Sequence, residues 1–169
     1  MVAIDPSLTH FGIIVYQVST KKIVFTKTLV TEKETKKRKI YQADDTARRI
    51  IYITDGFNEV LKKYKPYIII AETPSGGAVS SNAATALAIA KSLATIIPRM
   101  WGIPLISIMA SDAKEAATGK KNGSKALVEE AMKTKYPGTP WDSRKGHNEH
   151  QYDAAAVLTA GLTSDLIRL

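Results

Sequence analysis

Apolar positions follow two rhythms along this chain, and the change from one to the other outlines its elements. Residues 1–4 are apolar and end in a carboxylate, Asp5. Pro6 fixes φ and lacks a backbone donor, so the ladder should stop there. Gly12 then opens the run Ile13, Ile14, Val15, Tyr16, β-branched and aromatic enough to pair back as a hairpin. Residues 21–30 alternate as a third strand, which predicts an antiparallel meander. From 41 to about 64 the rhythm becomes helical, with Ala47, Ile50, Ile51, Ile53, Phe57, Val60 and Leu61 as the expected core face and Lys65-Pro66 as the stop. Residues 67–72 are an apolar run closed by Glu72. After a crossover helix, such a run predicts a parallel strand covered on both faces. An alanine-rich helix follows over 82–97, capped by Ser80 or Ser81. So many small side chains permit close approach, either to its own sheet or to a second copy. A fifth strand over 103–109 precedes a helix over 111–119, a basic turn over 120–125, and a helix from the Ser124 cap to Lys135. A Pro/Gly-rich loop leads to a last helix over 149–166, with Ala154, Val157, Leu158, Leu162 and Leu166 on its apolar face. With no internal repeat and no long linker, residues 1–169 are expected to form one domain.

Composition narrows the partners. The 44% hydrophobic content is that of a folded chain. Lys plus Arg exceed Asp plus Glu by 24 to 16, a formal charge of +8, which favours a polyanion, with nucleic acid ahead of anionic membrane. A soluble protein that is merely basic carries the same balance. The absence of cysteine excludes disulfides and thiolate metal sites. No stretch reads as a membrane span, and Asp5 follows Met1 too closely for a signal peptide. The expectation is a cytoplasmic protein without a membrane partner.

The bases cluster in three places: Lys36, Lys37 and Arg38 in the connector after the meander, Lys120, Lys121 and Lys125 in the basic turn, and Arg144 and Lys145 beside Trp141. Each cluster reads equally as a solvated loop or as phosphate contacts. The basic turn opens a helix and so offers backbone N–H groups to a phosphate, although its order of Gly, Lys and Ser is not that of a Walker loop. Trp141 either stacks on nucleic acid or seals the core.

The acids carry the chemistry. Right-handed crossover lays the strand ending at Glu72 parallel to, and beside, the strand ending at Asp5, at the carboxyl edge where open α/β sheets place their sites. His150 and Asp153 stand three apart and leave one face of the last helix. Singly, each has an ordinary explanation: Asp5 as a turn cap, Asp153 as compensation for a helix dipole, His150 as a surface residue. His147 and Glu149 also compete for the helix position. Together, Asp5, Glu72, His150 and Asp153 make an oxygen-dominated site suited to Mg²⁺, the imidazole shifting preference somewhat toward Mn²⁺. Three clustered carboxylates would not all stay ionised without such cations.

The opening 3–12 (Ala-Ile-Asp-Pro-Ser-Leu-Thr-x-x-Gly), the strand 68–72 and the closing His150-x-x-Asp-Ala-Ala-Ala resemble the RuvC-family Holliday junction resolvases of the retroviral integrase/RNase H-like superfamily. The resemblance spans almost the whole chain. It implies an α/β, RNase H-like fold: a five-stranded mixed sheet, three antiparallel strands plus parallel ones, flanked by helices. It also implies a metal-dependent endodeoxyribonuclease that resolves Holliday junctions by paired nicks as a homodimer. Two Mg²⁺ ions, replaceable by Mn²⁺, would be held by Asp5, Glu72, His150 and Asp153. Lys114 and Lys125 occupy the family's phosphate-contacting or charge-stabilising places, Lys125 neutralising developing charge. The loop after Glu72 lacks the aromatic that cellular members carry there, and the loop before His150 is long. Both features resemble a phage-type resolvase acting on branched DNA more broadly, forks and flaps included. Two rivals differ in kind: a non-catalytic branched-DNA-binding module of the same fold, and an actin-like ATP-handling protein, disfavoured by the lack of a second phosphate loop.

Overall fold

The computed structural model describes residues 1–34, 40–73 and 80–164. The strands are β1 (Val2–Asp5), β2 (His10–Gln17), β3 (Lys22–Val30), β4 (Ile69–Thr73) and β5 (Leu105–Met109). The helices are α1 (Gln42–Tyr64), α2 (Ser81–Met100), α3 (Ala110–Thr118), α4 (Lys125–Lys135) and α5 (His147–Thr163). The sheet order is β3-β2-β1-β4-β5. β1, β2 and β3 form the antiparallel meander, while β4 runs parallel to β1, and β5 parallel to β4. The crossover after the meander therefore does what its apolar run foretold, and the α/β mixed sheet is the expected one.

Strand alternation sorts the core into two halves. Val2, Ile4, Ile69, Ala71, Phe11, Ile13 and Val15 pack against Ile53, Phe57, Val60 and Leu61 of α1 and Ala94 and Ile97 of α2. Ala3, Ile14, Tyr16, Ile70 and Ile108 face the other way, onto α3, α4 and α5. Asp5 lies two residues beyond Ala3, and Glu72 two beyond Ile70, so both belong to the α5 side. The register Ile4↔Ala71 puts them one step further along neighbouring parallel strands, at the same end of the sheet.

Several local expectations are corrected. β2 starts at His10 rather than Gly12, and β5 at Leu105. On α1, Ala47 is exposed and Ile51 is 59% exposed, whereas Asp45 and Arg49 are buried. The buried stripe of α1 begins over polar loop backbone, and Arg49 serves that backbone by donating to Thr31 Oγ1 (2.9 Å) and the Leu8 carbonyl (3.2 Å). α5 has no single apolar face. Gln151, Tyr152 and all of 154–161 are buried, because the helix lies between the sheet and α3 and α4. Leu166 lies outside the described residues. α2 runs on past Pro98 to Met100 and, by length and composition alone, is apolar enough to cross a membrane, contrary to the expectation of no such stretch. In its C-terminal half Ala94 and Ile97 pack into the core on the sheet and Ala90 is buried, while Ala83, Ala84 and Ala88 are exposed. Ser80 caps it by accepting from the Ala83 N–H at 3.2 Å.

Candidate metal centre

Three elements deliver the site. β1 ends at Asp5, which is buried. α5 docks over the carboxyl end of β1 and the amino end of β2, and the docking is close because Gly12 has no side chain. A Cβ there would stand 2.2 Å from the His150 carbonyl oxygen. Thr28, opposite Gly12 on β3, ties down the same helix end: its hydroxyl donates to the His147 carbonyl (2.6 Å) and accepts from Gln151 Nε2 (3.2 Å). Gln151 Oε1 in turn accepts from the Asp142 N–H at 2.9 Å, which holds the preceding loop.

With α5 so placed, His150 Nδ1 donates to Asp5 Oδ2 at 2.7 Å. Ligand atoms of Asp5, His150 and Asp153 all lie within 4.8 Å of one another, close enough to share one cation. Asp153 is on the second turn of α5 rather than the first, one step above His150 on the same face. Glu72, on the neighbouring strand β4, is not among these converging atoms. Its carboxyl is pushed up to about 8, first by burial and then by the negative charges of Asp5 and Asp153, with Lys114 and His150 pulling the other way. Asp153 is pushed up to about 6 by burial and then by Asp5, opposed by His150, Lys125 and Lys114. These buried acids repel one another, the condition a bound divalent cation relieves. Two carboxylates with an imidazole, and a third carboxyl next to them, are donors that fit Mg²⁺ or Mn²⁺.

The rivals for the helix position, His147 and Glu149, are not in the converging group. Glu149 pairs with Lys125, and the His147 Nδ1 lies 3.8 Å from Asp142 Oδ2. Of the basic residues, Lys114 is half-buried on α3, and its charge is felt by both Glu72 and Asp153. Lys125 is exposed, engaged with Glu149, and reaches the site through its charge on Asp153. Lys120 and Lys145 are exposed, Lys121 lies 3.8 Å from Glu115, and Arg144 is paired with Asp142 at 2.6 Å. Lys36, Lys37 and Arg38 lie outside the described residues. Trp141 packs against Tyr152 (ring centroids 4.8 Å), partly buried at the edge of the core as the sealing reading expects.

One residue at this site went unnoticed in the sequence. His10, at the start of β2, stacks flat on His150 and meets the edge of His147. Burial, then the neighbouring His150 and His147, lower its pKa, with Asp5 opposing. Alternation was the available signal: His10 stands two before Gly12, on the face that Asp5 uses.

No protein-family model and no curated protein sequence matches the chain. Solved structures do match. Thermus thermophilus RuvC in complex with a Holliday junction substrate superposes with a TM-score of 0.71 at 19% identity, over 95% of this chain and 92% of that one. A second structure of Thermus thermophilus RuvC gives 0.66 at 19% identity over the same shares. The yeast mitochondrial Holliday junction resolvase Ydc2 gives 0.63 at 15% identity, over 94% of this chain and 75% of that one. The chain thus has the RNase H-like fold of these resolvases.

Proposed function

We propose that this chain is a divalent-metal-dependent endodeoxyribonuclease that nicks branched DNA, four-way junctions foremost and forks and flaps with them. One observation carries the reading: Asp5, His150 and Asp153 converge within 4.8 Å at the carboxyl end of the sheet, with Glu72 beside them. Their fold is that of a protein solved with a Holliday junction. Asp5, Glu72, His150 and Asp153 would hold two Mg²⁺ or Mn²⁺ ions. When bound, such ions acidify an attacking water and neutralise charge on the departing oxygen.

The chain's own residues do the rest. Asp5, last in a strand buried on both sides, presents its carboxylate from a rigid base. His150 Nδ1 holds Asp5 Oδ2 in one orientation. Lys114, half-buried beside the acids, supplies positive charge where the scissile phosphate would sit, and Lys125 adds to it from the mouth. Exposed Lys120, Lys121, Arg144 and Lys145 would grip the backbone of the arms. The products would be a 5′-phosphate and a 3′-hydroxyl. A four-way junction has two-fold symmetry, so paired nicks call for two sites related by the same symmetry, hence a homodimer.

The test uses purified protein with labelled junctions, forks, flaps and linear duplex, with and without Mg²⁺ or Mn²⁺. Asp5→Asn should abolish cleavage and leave junction binding intact. Normal cutting by that variant would refute the metal reading. Junction binding by the wild type without nicking in either cation would establish the non-catalytic module instead.

A further inference from the structure

We propose that His10 is a positioning residue of this centre: its ring holds the His150 imidazole in the plane that keeps Nδ1 on Asp5. The two rings are parallel within 9°, with centroids 4.9 Å apart. His10 is itself braced, since the His147 ring meets it edge-on at 6.1 Å and 75°. Its backbone is strand, paired with Val30 and continuous with Gly12, on which the His150 main chain rests. The strand that seats α5 therefore also presents the ring that covers His150.

The physical need is specific. A histidine hydrogen-bonded through one nitrogen can still swing about that bond. Asp5 fixes the edge of the His150 ring at 2.7 Å, and a flat neighbour at stacking distance removes the remaining freedom. Donors that are oriented before the cation arrives bind it more tightly, and loss of an orienting partner weakens metal sites. His10 is not one of the residues whose ligand atoms converge within 4.8 Å, so it acts through its face.

This inference rests on the metal reading above, and the experiment separates the two. Mn²⁺ binding is measured without DNA, by the paramagnetic resonance of the free ion, for wild type, His10→Ala, His10→Phe and His150→Ala. His10→Ala should weaken Mn²⁺ binding about two- to tenfold, the range an aromatic stack supports. His10→Phe keeps a flat ring and no nitrogen, and should bind like the wild type. His10→Ala binding as tightly as wild type would overturn the positioning role. So would His10→Phe losing as much as His10→Ala, because the nitrogens would then be what matters. A wild type that binds no Mn²⁺, no better than His150→Ala, would refute the metal centre itself, and the role of His10 with it.

Discussion

Glu72→Gln tests whether the clustered acids are a latent cation site, through stability alone. In the metal-free protein the Glu72 carboxyl is pushed up from 4.5 to about 8. Between those values the unfolded chain has released the proton while the folded one retains it. The folded state then binds more protons, and stability falls as pH rises through that window. At pH 7 the linkage amounts to about 3 kcal/mol lost relative to an unperturbed carboxyl, and it levels off at about 5 kcal/mol above pH 8. Glutamine has no charge to desolvate or repel at any pH. Urea unfolding in EDTA should therefore show little difference between the two proteins at pH 4.5 and a gap of about 3 kcal/mol at pH 7, with Glu72→Gln the more stable. Asp153, pushed up to about 6, titrates in the same window but is present in both proteins and largely drops out of the difference. Mn²⁺ at a hundredfold its dissociation constant should restore about 3 kcal/mol to the wild type and close the gap. A gap that does not change with pH, or a wild type more stable than Glu72→Gln at pH 8 in EDTA, would refute the buried-repulsion account.

Two further expectations concern the neighbours of the site. Gly12→Ala must displace backbone, because its Cβ would meet the His150 carbonyl oxygen at 2.2 Å and carbon at 2.7 Å. Thermal unfolding should show about 1–3 kcal/mol lost, and Mn²⁺ affinity and cleavage should fall together as α5 lifts from β2. Lys114→Met removes a charge that holds both Glu72 and Asp153 down. The acid limb of the cleavage rate against pH should therefore move to higher pH. Lys125→Ala should move it less, since Lys125 is engaged with Glu149; equal shifts would show the two lysines to be equivalent.

Much of the layout was legible because it depends on local rules. A proline after Asp5, a fully apolar run before Glu72 and a long amphipathic helix between them leave few ways to arrange a right-handed crossover, and the acids fall at one edge of the sheet. His150 and Asp153 share a face by helix geometry alone. The misreadings came where a neighbour overrides periodicity. α5 is buried all round because three elements surround it, so no stripe marks it. Arg49 is buried because loop carbonyls need its donors, which hydropathy does not encode. His10 was passed over because its partners sit 137 and 140 residues downstream, and strand alternation marks only the face it uses.

The sequence by itself therefore determined which side chains could share a cation and at which end of the sheet, since period two in strands, period 3.6 in helices and crossover handedness are properties of the backbone. Tertiary structure decided which candidates meet. The choice of His150 over His147 and Glu149, the nearness of Lys114 to the acids and the stack of His10 on His150 all depend on how far α5 descends onto β2. That depth is set by the missing side chain at Gly12 and the hydroxyl of Thr28. Contact distances of this kind arise only when distant segments close on each other, and no local pattern records them.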